Sequence, residues 1–226
     1  IAISLATWYK RQGISPRFID FDAENTDKSG LKNFVPDAVR FDLHTPGALD
    51  HFFEVCDTED RVVLADMGAG AGTATYDWFE KMFDDSRDMN IRFTAIGVTT
   101  NDPGAVLSVL RWAKHLQQQV DYLVVLNERS ETDSKFEYWS DNPLVKKFTD
   151  AFKPVVMRSD VRIAEFQSEL RNQELSLEDV IERRTNSPFF RNTMQIVRAR
   201  RYQRTLFAGF DSASVILLPT TIDGEY

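Results

Sequence analysis

The sequence predicts an α/β fold, a mostly parallel sheet with helices on both faces, followed by a helical C-terminal extension. Three features predict it. Helix-period and strand-like apolar segments alternate strictly through about residue 165. The strand-like segments are continuous apolar runs, such as Val62-Val63-Leu64-Ala65, which suits strands covered on both faces. Two of these runs end in carboxylates: Phe18-Ile19 leads into Asp20 and Asp22, and Ala65 leads into Asp66. In an open α/β sheet, ligands sit outside the carboxyl ends of the strands.

Each element has a local reason. Ile1, Leu5 and Trp8 fall on one stripe of a helix over 1–11, and Gly13 follows its basic last turn, where glycine ends helices. That helix has no start signal, so the natural chain is expected to continue upstream of Ile1. A strand follows over 17–22. Residues 23–33 are polar, contain Gly30 and read as a loop. A short strand is expected near 38–43. A helix over 46–55 turns Leu49, Phe52 and Phe53 to one side. Strand 61–66 precedes a glycine series at Gly68, Gly70 and Gly72. Helix 76–82, strand 91–98, helix 103–116 and strand 121–126 complete the alternation.

Residues 130–142 are polar and read as a surface loop. Its aromatic cluster of Phe136, Tyr138 and Trp139 either docks a partner or folds back on the domain. A last short strand is expected at 154–157, and from Val161 the pattern is mostly helical. The organisation is therefore an α/β domain over 1–165 with a helical extension, 166–226, packed on it.

Composition narrows the function. The chain has 226 residues and 42% hydrophobic content, enough for a full core. A net charge of −8 excludes a surface that attracts nucleic acid everywhere. The single cysteine, Cys56, excludes an intramolecular disulfide and fits a cytoplasmic protein. There is no apolar run of ~18 residues to span a membrane, and no signal peptide is expected. His44, His51 and His115 lack metal-ligand spacing, and Cys56 has no neighbouring base. Trp8, Trp78 and Trp112 sit at helical positions and read as core.

Residues 183–204 depart from the acidic trend, with seven arginines and no acid. On a helical wheel Ile196, Ala199, Leu206, Phe207 and Phe210 share one side, and Arg198, Arg200, Arg201 and Arg204 share the other. Such a face contacts phosphates without reading sequence, or stays solvated, or pairs with the protein's own acids.

A carboxylate at a buried strand end, followed by glycines, holds the water shell of Mg²⁺ in P-loop nucleotidases. Asp66 has that setting. Asp22, on a neighbouring strand end, would orient an attacking water. The Asp66–Gly72 series also resembles the first motif of S-adenosylmethionine-dependent methyltransferases. Those enzymes want an acid at the end of the next strand, but 93–98 runs into Thr99-Thr100-Asn101, and Asp20 and Asp22 are left without a role.

Four landmarks in order resemble the deviant-Walker, P-loop ATPases of the ParA/MinD group. They are Phe18-Ile19-Asp20-Phe21-Asp22, Val62 to Gly70, Gly97-Val98-Thr99-Thr100-Asn101-Asp102-Pro103, and Leu123-Val124-Val125-Leu126-Asn127. The segment Val155 to Arg162 resembles the family's next strand and base-flanking loop. The likeness covers about residues 1–165. The arginine-rich tail is similar to the TraL-type branch of plasmid conjugal transfer.

The resemblance implies a slow ATPase switch with ATP and Mg²⁺ as cofactors, dimerising on ATP and acting on DNA in plasmid partition, mobilisation or conjugation. By it, Asp22 serves the hydrolytic water and Asp66 holds Mg²⁺ through water. Asp20, Gly68, Asn127 and Arg158 bind nucleotide, with Gly68 at the γ-phosphate and Asn127 reading adenine. Arg198, Arg200, Arg201 and Arg204 meet DNA or an acidic partner. The family's glycine loop with its lysine and serine or threonine would lie just before Ile1. The alternatives are a methyltransferase using Asp66 to Gly72, or a catalytically inactive adaptor that binds through its arginines.

Overall fold

The computed structural model describes residues 1–21, 31–41, 47, 50–56, 62–67, 73–129 and 135–219. The first half runs α1 (Ala2–Arg11), β1 (Arg17–Asp20), α2 (Leu31–Phe34), β2 (Val39–Arg40), α3 (Asp50–Cys56), β3 (Val63–Asp66), α4 (Thr73–Asp88), β4 (Thr94–Thr99) and α5 (Pro103–Leu116). The second half runs β5 (Asp121–Asn127), α6 (Glu137–Asp141), α7 (Pro143–Phe152), β6 (Val155–Ser159), α8 (Ala164–Asn172), α9 (Leu177–Ile181), α10 (Thr193–Ser212) and α11 (Ser214–Leu217).

Local chemistry starts these helices. Asp102 accepts the Ala105 N–H at 3.0 Å, with Pro103 in the first turn of α5. Asn142 caps α7 through the Leu144 N–H at 2.9 Å, again before a proline. Asn192 caps α10 through the Met194 N–H at 2.9 Å. Ser176 and Asp179 form a reciprocal capping box on α9. Gly13 takes φ +75° after α1, a conformation open to glycine at no steric cost.

All described strand pairs are parallel, as expected for strands joined by helices. They form two three-stranded sheets, in the orders β2-β1-β3 and β4-β5-β6. Alternation along β5 sends Leu123 and Val125 to one face, and Tyr122, Val124 and Leu126 to the other. On the first face they meet α1, α8, α9 and α10 through Trp8, Phe166, Val180 and Phe210. On the second they meet α5, α6 and α7 through Val106, Trp139 and Phe148. Helix α1 spans both sheets: its Leu5 and Trp8 join the Leu123 cluster, while Ala6 packs with Phe18 of β1. The C-terminal helices thus share a core with β5 and β6.

Two expectations need correction. The helix expected at 76–82 extends over Thr73–Asp88. The loop expected at 130–142 ends in a helix, α6, and the residues around it bury their aromatics; 130–134 lie outside the described residues. Phe136 is fully buried and Trp139 nearly so, with Trp139 edge-on to Phe148 at 6.3 Å. The aromatic cluster therefore folds back on the domain. Polar neighbours dominate the local composition, but α7 supplies the apolar wall that makes burial favourable.

Gly97 in β4 lets α5 approach closely. A Cβ there would lie 3.0 and 3.1 Å from the methyls of Val109. Gly97→Val should lower unfolding free energy by about 1–3 kcal/mol through overpacking. Denaturant unfolding reads this directly; an unchanged midpoint would show that α5 gives way freely.

Candidate functional site

β1 and β3 lie side by side with Asp20 opposite Asp66, so the two strand-end acids arrive in register. The Phe21 N–H donates to the Asp66 carbonyl at 2.9 Å and carries that pairing one residue further. Asp22 lies outside the described residues, as do Gly68, Gly70 and Gly72.

A cavity of about 1100 Å³ lies between β3 and β4. Its carboxyl-end mouth carries Asp66, Asn127, Glu128, Arg129, Asp160 and Arg162. This is where an open α/β sheet binds ligands. Asp66 and Asn127, expected from sequence as metal-holding and base-reading residues, thus face one space. Ile1 lines the same space.

Asp20 has a different setting. It is 1% exposed and does not line the cavity. Its Oδ2 accepts the Lys32 N–H at 3.3 Å, at the start of α2. A short helix there meets a buried carboxylate with its free N–H groups.

Arg158 also lies away from the cavity. Along β6 Met157 and Ser159 are buried while Val156 and Arg158 are exposed, the period-two rule of a strand. The Arg158 guanidinium stands 5.6 Å over the Phe136 ring and 3.9 Å from Glu128 Oε1. Arg162 stands at the mouth instead, together with Arg129; it is half-buried, with its guanidinium 5.9 Å over the Tyr202 ring. Burial lowers its pKa, yet a guanidinium stays charged. Sequence reasoning missed Arg162, although the Val155 to Arg162 segment contains it. Its orientation depends on α10, some forty residues away.

Helix α10 buries Ile196, Ala199, Leu206, Phe207 and Phe210, the apolar face expected from the wheel. Its arginines occupy the remaining arc with different surroundings. Arg198 donates to Gln195 Oε1 at 3.1 Å, and Arg201 Nε lies 3.7 Å from Asp160 Oδ2. Arg200 and Arg204 line a second groove with Arg11. The arc is part solvated and part paired with the protein's own acids.

His51 lies 2.6 Å from Glu54, and His115 stacks on Tyr76 with centroids 4.1 Å apart. Burial pushes the Cys56 thiol up to about 12, so it is protonated at neutral pH. Among the described residues no cluster of metal-ligating side chains occurs, and no helix is long and apolar enough to cross a membrane.

No protein-family model, no curated protein and no solved structure matches this chain.

Proposed function

We propose that this chain is the body of a Mg-ATP-dependent switch ATPase of the ParA/MinD type, working in the cytoplasm on plasmid or conjugative DNA. The observation that carries the reading is the shared mouth: Asp66 and Asn127, from two different sheets, face one cavity at the carboxyl ends of their strands. The donor set suits the ligand. A carboxylate is the ligand type that Mg²⁺ accepts directly or through water. The Asn127 amide offers both a donor and an acceptor, as an adenine edge requires. Bound Mg²⁺ would neutralise charge on the phosphate oxygens.

In this reading Asp66 fixes the metal's water shell, Asn127 selects adenine, and Arg162 adds positive charge at the mouth. Asp22 would orient the attacking water and Gly68 would follow the γ-phosphate. A backbone cradle with a lysine is the main phosphate clamp that such a site requires. Equilibrium titration of the protein with ATP and with S-adenosylmethionine tests the reading. ATP binding that needs Mg²⁺ supports it; binding of S-adenosylmethionine alone would favour the methyltransferase alternative. That alternative has little support in the geometry, since Asp102 is engaged as the cap of α5 and β4 does not pair with β3.

The ATP-bound state would be a homodimer whose arginine arc on α10 meets DNA phosphates. Replacing Arg198, Arg201 and Arg204 by alanine should weaken DNA retention at low salt. Each lost phosphate contact should flatten the log–log salt slope by about 0.9. A gel-shift series with unchanged retention would assign the arc to solvent and to internal pairs such as Arg201 with Asp160.

A further inference from the structure

We propose that the groove between α10, α9 and the end of α1 docks an acidic peptide segment of a partner protein, one that carries an apolar anchor residue beside its carboxylates. The groove runs down one side of α10 and encloses about 490 Å³. Arg200, Arg204, Ala208 and Asp211 recur along it at helical spacing, with Gln203 and Phe207 beside them. Ile181 of α9 and Arg11 of α1 line it from the neighbouring elements. Its floor is set before any ligand arrives. Phe207 is 9% exposed, and the Arg11 guanidinium lies over its ring, 4.7 Å from the centroid. Arg11 also donates to Gln203 Oε1 at 2.9 Å and stands 3.3 Å from Glu178 Oε2, which accepts the Gln203 amide at 2.6 Å. Such bonds hold Arg11 and Gln203 in one geometry, so little order is lost on docking.

Arg200 and Arg204 are different. Both are exposed, one turn apart, and among the described residues no hydrogen bond, ion pair or ring contact engages either. Like charges at that spacing repel. The chain carries a net charge of −8, yet none of its described acids answers this pair. Elsewhere on the same helix the arginines are engaged: Arg201 stands 3.7 Å from Asp160, and Arg198 donates to Gln195. Two free guanidiniums on adjacent turns present two planar forks, the geometry that carboxylates accept in pairs of bonds.

Three features select a peptide over nucleic acid. Phe207, Ala208 and Ile181 offer apolar surface next to the cations, where an aliphatic side chain gains by burial and a phosphate backbone has nothing to bury. Asp211 closes the far end of the groove and would repel a continuing track of phosphates. The groove is also short. From Arg200 to Asp211 α10 rises about 16 Å, the span of about five extended residues. The docked segment therefore places acids on Arg200 and Arg204, an aliphatic side chain on Phe207, and a residue without negative charge beside Asp211. Among the described residues none lines both this groove and the cavity between β3 and β4, so docking here is independent of any nucleotide.

Amide NMR of the 226-residue chain, titrated at low salt with the acetylated and amidated peptide Asp-Glu-Glu-Leu-Ser, tests this. Saturable shifts should centre on Gln203, Arg204, Phe207 and Ala208. Arg200→Glu combined with Arg204→Glu should weaken binding by about tenfold or more. Lys146→Glu combined with Lys147→Glu makes the same change in net charge on exposed positions of α7, which packs on the opposite face of β5. That control should change affinity by less than about twofold. Serine in place of the peptide's leucine should weaken binding by about fivefold. The unfolding midpoint of the doubly reversed variant should match the parent; if it does not, Arg200→Gln with Arg204→Gln gives the reading, again as weaker binding. No saturable shift in the groove, equal weakening by the α7 control, or indifference to the leucine would overturn the proposal. A short DNA duplex that displaces the peptide and shifts the same amides would assign the groove to phosphates and overturn it as well.

Discussion

Asp66→Ala should weaken Mg-dependent ATP binding by about 10–100-fold, the usual effect of removing a group that orients a metal's water shell. The fold should survive. Asp66 is half-buried at a cavity mouth, and its contribution to the β1–β3 ladder is the backbone carbonyl that accepts the Phe21 N–H at 2.9 Å, which alanine keeps. Any binding of ATP without Mg²⁺ should be little changed. Calorimetric titration with and without the metal separates the two; equal Mg-dependent affinity in variant and parent would remove Asp66 from the site. Asp20→Ala is the contrasting variant. That carboxylate is 1% exposed and accepts the Lys32 N–H. Its loss should remove a part-buried hydrogen bond at the start of α2 and lower stability by about 0.5–1.5 kcal/mol. The two acids in register therefore separate by assay, one moving metal dependence and the other moving the unfolding midpoint.

Trp8→Ala should lower unfolding free energy by about 3–5 kcal/mol. In a chain of this size that is a fall in Tm of roughly 6–20 °C. Trp8 is 1% exposed and ties α1 to the end of α10. Its indole N–H donates to Asp211 Oδ1 at 2.7 Å, and its ring meets Tyr9 at 5.1 Å and Phe210 at 6.0 Å. Alanine would leave a cavity and an unpartnered hydrogen bond in one step. Trp8→Phe keeps most of the apolar volume and loses only the N–H donor and some area, so its effect should be smaller. Since α1 roofs the cavity between β3 and β4, Trp8→Ala should also speed exchange at amides lining it. Thermal and urea unfolding check the first expectation; a loss below about 1 kcal/mol would mean that α1 is held mainly by other contacts.

The elements that sequence reasoning found are those whose cause lies within a few residues. Asp102-Pro103 starts α5 because a carboxylate reaches the N–H three positions on. Gly13 ends α1 because glycine accepts a positive φ. The apolar runs before Asp20 and Asp66 needed no partner to read as strands, and the two acids do arrive side by side; β1 is buried as expected, whereas β3 is half-buried with Ala65 exposed. The apolar stripe of α10 was equally plain, because periodicity alone selects it.

What escaped sequence reasoning depends on residues far apart in the chain. Phe136 and Trp139 sit in a polar stretch, and only the wall offered by α7 makes their burial favourable. Arg158 and Arg162 are four positions apart, yet strand alternation turns the first toward Phe136 and packing against Tyr202 holds the second at the mouth. The chain order of helices and strands, their caps and the acids at strand ends were written in local sequence, because each rests on backbone geometry over one or two turns. The division into two sheets, the cavity between them and the orientation of its charged rim came from packing. They arise where side chains as distant as Trp8 and Asp211 meet, and no short window of sequence contains both.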